Sequence, residues 1–150
     1  MKWSVAGLAL AGAVGVASCR EPAPNPVAEA VGEAEVAVGS LSVREVQLGN
    51  AVGEDGRVVM PVTTFDAHDT IYVAVATGAA SDSTLLVARW LFDRGGNAEL
   101  VDSTSQTIPP GGPANIELHV ANAGGWPIGS YRVELSARDK PVATRDFEVR

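Results

Sequence analysis

The 150-residue chain has a single cysteine, so an internal disulfide is excluded, and any folded part must be held by apolar burial alone. Aromatic residues make up only 5% of the chain, and there are two histidines, His68 and His119. Such a set leaves little room for catalysis that draws on imidazole bases. No Gly-x-Ser-x-Gly elbow, His-Glu-x-x-His pair or glycine-rich phosphate loop is present, and the pairs Gly95-Gly96 and Gly111-Gly112 read as turn glycines. Basic charge is scarce too. Eleven Lys and Arg are dispersed among eighteen Asp and Glu, for a net charge of −7, without the basic run or stripe that a phosphate backbone requires. Nucleic acid is therefore not an expected partner, and no metal ligand set, cofactor or catalytic residue is assigned.

What the chain does contain begins at its N-terminus. Lys2 gives a minimal positive region, residues 5–17 form an apolar, Gly- and Ala-rich stretch, and Val16-Ala17-Ser18-Cys19 follows. A stretch of this length falls short of the roughly 20 residues a spanning helix needs. The tetrapeptide resembles the lipobox of bacterial lipoproteins. That resemblance implies a signal helix over 1–18, diacylglycerol on the Cys19 sulfur, cleavage between Ser18 and Cys19, and a protein held in a membrane through its lipid. The small side chains of Ala17 and Ser18 suit the cut, and the thiol carries the lipid. Arg20 stands where many lipoproteins retained at the inner membrane have Asp, which by the same resemblance points to the outer membrane, facing the periplasm.

Residues 19–39 read as a disordered linker. Pro22, Pro24 and Pro26 alternate with small residues, and too little apolar surface is present to offset the entropy of ordering. Pro-rich tethers are semi-extended spacers.

From residue 40 the texture changes to short alternating runs punctuated by Gly, Pro, Asn and Asp, the pattern of an all-β sandwich or barrel. Strands are predicted over 41–48, 57–65, 70–77, 84–93, 98–107, 114–121, 130–138 and 142–149, giving one domain over 40–150. Tyr131, Val133, Leu135 and Ala137 alternate with Arg132, Glu134 and Ser136, which predicts one buried and one wet face. Ile116, Leu118 and Val120 do the same against Glu117 and His119, so His119 is expected to point outward. The segment around Trp90 is apolar on both faces and reads as central. A tryptophan there suits the core of an immunoglobulin-like antiparallel sandwich of about seven or eight strands, without the disulfide found in antibody domains.

Gly125-Trp126-Pro127-Ile128-Gly129-Ser130-Tyr131-Arg132-Val133-Glu134 resembles the Gly-Trp-Pro-x-Gly-x-Tyr-x-Val-Glu stretch of small immunoglobulin-like domains in proteobacterial lipoproteins. Phe65 to Tyr72 is similar to their Phe-x-x-x-Asp-x-Ile-Tyr. The resemblance spans residues 43–150 and implies fold and envelope location, with no reaction, cofactor or ligand attached. In an up-and-down arrangement the connections 66–69, 94–97 and 122–128 share one pole, gathering Asp66, His68, Asp69, Asp93 and Trp126. Asp66, His68, Asp69 and Trp126 are the candidate partner contacts. Against that stand the plainer readings, Asp66 and Asp69 as turn residues and Trp126 as a cap over the core end. The function expected is a non-enzymatic module that recruits another envelope protein. An inhibitor of an envelope hydrolase acting through a pole loop, and a carrier of a metal or small ligand, remain as alternatives.

Overall fold

The computed structural model describes residues 35–150. The Cys19 lipidation site, the cut between Ser18 and Cys19, the signal segment and the linker as far as residue 34 lie outside the described residues. Nine strands follow in order: β1 (Val36–Val38), β2 (Leu41–Gly49), β3 (Thr64–Phe65), β4 (Ile71–Thr77), β5 (Thr84–Arg94), β6 (Asn97–Ile108), β7 (Ala114–Val120), β8 (Gly129–Ala137) and β9 (Lys140–Val149). They form two sheets, one ordered β1-β2-β4-β7 and the other β3-β9-β8-β5-β6. Every pairing is antiparallel except the short parallel contact of β3 with β9.

Alternation decides which face each strand buries. Along β8, Tyr131, Val133, Leu135 and Ala137 are buried while Arg132 is exposed and Glu134 and Ser136 half-exposed. Across the gap, Ile71, Val73 and Val75 of β4 and Ile116, Leu118 and Val120 of β7 supply the facing layer. In β5, Thr84, Leu86, Ala88 and Trp90 point into this layer, and Trp90 is 1% exposed. Its ring packs edge-on against Phe147 at 6.3 Å, and its Nε1–H donates to Thr104 Oγ1 at 3.2 Å. The indole is thus buried without an unsatisfied donor.

The architecture is an immunoglobulin-like sandwich. β4 pairs with β7 in one sheet, β9, β8 and β5 run in that order in the other, and a tryptophan fills the core from β5. Tyr131 supplies a tyrosine corner: near the start of β8, its hydroxyl donates to the Pro127 carbonyl four residues upstream at 2.7 Å. Two residues further on, where antibody domains carry a disulfide cysteine, Val133 is fully buried opposite Trp90. Branched aliphatic packing takes the place of the covalent staple.

Three expectations about elements change. Residues 57–65 were expected to be one strand, but only Thr64–Phe65 is strand, and Val58 makes an isolated bridge to Val52. Pro61 cannot donate to a ladder, and residues 50–62 instead fold over the outer face of the four-stranded sheet, where Val58 lies against Gly49 and Asn115 Nδ2 donates to the Asp55 carbonyl at 3.0 Å. That cover explains the small Ala74 and Ala76 on β4, which line a crevice with Val58 and Pro61. Second, order begins ahead of residue 40, because Val36–Val38 pairs with β2 as β1. Third, the gap of residues 139–141 left between the predicted strands 130–138 and 142–149 shifts and narrows to a turn at Arg138-Asp139, with φ of 49° and 62°, and Lys140 already pairs with Ala137.

Candidate functional site

At one pole, the turn at residues 66–69 and the connection at 122–128 are tied together. Asp66 N–H donates to Asp69 Oδ2 at 2.9 Å, and Asp69 N–H donates back to the Asp66 carbonyl at 3.0 Å. The Asp69 carboxylate therefore serves its own turn. Trp126 N–H donates to the Ala67 carbonyl at 2.7 Å, and its Nε1–H donates to the Asp69 carbonyl at 2.9 Å. Asn122 closes the second loop, accepting from Gly124 N–H at 3.0 Å and donating to the Gly125 carbonyl at 2.7 Å. Gly125, at φ +83°, lies against the His68 ring, so a side chain there would be strained and crowded.

This geometry places the four candidate contacts differently from one another. Trp126 is 4% exposed and packs edge-on to Tyr131 at 5.9 Å, so it caps the core and is withdrawn from any partner. His68 and Asp66 are exposed and Asp69 is half-buried. The Asp93 carboxylate accepts from Gly96 N–H at 2.7 Å in the β5–β6 turn. Among the described residues, no three His, Cys, Asp or Glu side chains are grouped so as to hold a metal ion. His119 stands on the wet face of β7, with Nδ1 2.6 Å from Glu117 Oε1 and its ring beside Tyr72 at 5.3 Å.

On the outer face of the five-stranded sheet lies an open concavity of about 680 Å³. Four of its charged lining residues are paired with one another, Arg132 Nε to Asp146 at 2.8 Å and Arg150 to Glu148 at 2.9 Å. The Asp146 carboxylate, followed by Glu134 and Asp93, holds the Arg132 guanidinium above its usual range.

Sequence reasoning missed the contrast between the two flanks of the sandwich. On one flank β1 covers the start of β2, Arg145 Nε donates to the Val46 carbonyl at 3.1 Å, and Val62 N–H donates to the Leu48 carbonyl at 2.9 Å. There β3 also covers the end of β9, with Glu148 N–H on the Thr63 carbonyl and Arg150 N–H on the Phe65 carbonyl. Burial lowers the affinity of the Arg145 guanidinium for its proton. The opposite flank is formed by β6 and β7, each paired on one side only. The twelve-residue β6 is exposed along almost all of its length until Ile108. Leu100 and Val101 near one end of β6, and Leu85 of β5 opposite Thr107 near its other end, are 51%, 42% and 50% exposed.

No family model matches the chain, and no curated protein matches it. Among solved structures, a Pseudomonas fluorescens alkylpurine DNA glycosylase bound to DNA containing an abasic site analog aligns at 9% identity and a TM-score of 0.49, over 75% of this chain and 31% of that one. Two structures of a Listeria innocua β-glucosidase, one with glucose, align at 12% identity and TM-scores of 0.41 and 0.42, over 70% of this chain and 16% of theirs. The chain thus spans less than a third of each of these proteins, and likenesses at this level carry no argument about activity.

Proposed function

We propose that this protein is a non-enzymatic, lipid-anchored envelope module whose sandwich recruits another envelope protein from the periplasmic face of the outer membrane. The observation that carries the reading is the asymmetry of the sandwich, one flank closed by β1, β3 and Arg145, the other leaving two strand edges unpaired. A free edge is a template for another chain unless it is blunted or used. The tether implied by Val16-Ala17-Ser18-Cys19 gives such a surface a reason, since attachment raises local concentration near the membrane and two or three acyl chains give durable anchorage.

The anchor is tested by metabolic labelling with a palmitate analogue. Wild-type chain takes up label, and Cys19→Ser loses it and accumulates as uncleaved precursor. Label persisting on Cys19→Ser refutes the lipid assignment. Recruitment is tested by crosslinking the full chain in native membranes, where one stoichiometric adduct supports the module and a ladder of unrelated adducts opposes it.

A second reading, an inhibitor acting through the 122–128 connection, draws on Ile128, which is 74% exposed at the pole. It requires tight blockade of an envelope hydrolase that Ile128→Asp removes without changing thermal stability.

A further inference from the structure

Residues 95–131, which contain both open strands, include Glu99, Asp102 and Glu117 and not a single Lys or Arg, although the chain has eleven. Among Asp, Glu, Lys and Arg, this stretch thus holds acids only; Glu99 is paired with Arg94 of β5 at 3.0 Å, which leaves Asp102 as the carboxylate beside the edge residues that follow. On β6 itself, Val101 is an extra residue in the ladder, since Trp90 pairs with Asp102 and Leu91 with Leu100. Immediately after this bulge, Ser103 N–H donates to Asp102 Oδ1 at 2.7 Å instead of across the ladder. In an antiparallel pair, alternate residues turn both backbone groups toward the partner or both away from it. Ser103 therefore faces the open edge, and so do Ser105 and Thr107. The bulge and the Asp102 carboxylate blunt the edge above this point, leaving residues 103–107 as a short receptive segment in which Ser103 offers only its carbonyl. Its side chains on the outer face, Ser103, Ser105 and Thr107, are small and stand opposite Arg89, Val87 and Leu85. Leu85 remains half-exposed behind them.

We infer that residues 103–107 of β6 accept an extended strand of a partner protein that carries Lys or Arg on one face and large apolar side chains on the other. This deepens the recruiting-module reading and rests on it. Backbone pairing gives the added strand its register. Apolar side chains of the guest reach over the short Ser and Thr side chains to Leu85 and Val87, and basic ones, on the guest's other face, meet Asp102. The self-capped Ser103 amide and the bulge work against a second copy of this chain pairing along the whole edge.

The test uses the full lipidated chain in detergent micelles and a fluorescent synthetic peptide, Lys-Phe-Arg-Val-Lys-Phe-Arg, read by anisotropy. Saturable binding is expected, weakened at least tenfold by Ser105→Pro, which removes an edge amide while leaving the thermal midpoint close to wild type. With wild-type protein, methylating alternate peptide amides along one edge abolishes binding, and methylating the other set preserves it. That arm stands whether or not the proline variant folds. The inference is overturned by absence of binding, by equal binding to Ser105→Pro, by equal behaviour of the two methylated peptides, or by equal binding of a peptide with Glu in place of Lys and Arg. A wild-type dimer in sedimentation that Ser105→Pro disperses assigns the edge to a second copy and also overturns it. A membrane partner whose crosslink ignores Ser105→Pro sinks this inference and leaves the recruiting module standing, whereas no membrane partner at all sinks the module itself.

Discussion

The Tyr131 hydroxyl donates to the Pro127 carbonyl at 2.7 Å while its ring stacks on Phe147 at 5.3 Å, so one side chain joins the pole loop to the core. The hydroxyl is desolvated, and burial holds its proton above the usual phenol range. Because the folded value lies above the unfolded one, the associated stability is complete below about pH 10 and is lost as pH rises through the folded value. Tyr131→Phe is expected to cost about 0.5–1.5 kcal/mol at neutral pH and to flatten the loss of stability on the alkaline side. Denaturant titrations at neutral and alkaline pH check both, and an unchanged alkaline slope in the variant assigns it elsewhere.

Trp126 anchors the same pole from the other loop. Trp126→Phe keeps most of the apolar cover but leaves the Asp69 carbonyl without its indole donor, an expected loss of about 1–3 kcal/mol. Trp126→Ala also opens a void against Tyr131, for about 3–5 kcal/mol. Hydrogen exchange separates the two effects: amides of residues 66–69 lose protection in both variants, and the β8 amides chiefly in the alanine variant.

Arg138 and Asp139 both occupy the left-handed region in a two-residue hairpin turn, where β-carbons are disfavoured. Arg138 recovers part of that cost through Nη2 donating to the Ser83 carbonyl at 3.2 Å and Nε donating to Thr84 Oγ1 at 3.3 Å. Asp139 has no comparable tie among the hydrogen bonds of the described residues. Asp139→Gly is expected to raise stability by about 0.5–1 kcal/mol after the added freedom of the unfolded chain is counted. Thermal melts check it, and a lower midpoint contradicts this account of the turn.

The parts of the fold readable from sequence are those set by local alternation. Tyr131, Val133, Leu135 and Ala137 mark a strand with one wet face wherever the strand sits, and the apolar run around Trp90 marks a central one. Order in the sheet is a different matter. Nothing in Thr64–Phe65 announces a parallel contact with Glu148 and Val149 more than eighty residues later. The three-residue β1 sits in an Ala-, Glu- and Val-rich stretch that reads as linker, because its stability comes from pairing with Leu41–Gly49 and not from its own pattern. Residues 57–65 show the opposite failure: their β-branched run looks like a strand, but Pro61 and the chance to cover Ala74 and Ala76 make them a loop. At the pole, shared placement of residues 66–69 and 122–128 follows from an up-and-down reading, whereas the bond from Trp126 to the Asp69 carbonyl does not. The open flank is invisible locally, since being an edge depends on which strands are absent beside it.

The account turns most directly on whether the β6 edge meets another protein in the living envelope. A photo-crosslinking amino acid placed at position 105 in the full chain, with position 136 on the outer face of β8 as the comparison, reads this in intact cells. The account predicts one discrete adduct from position 105, none from position 136, and loss of the adduct when Cys19→Ser removes the tether. Silence at position 105, or the same adducts from both positions, contradicts it.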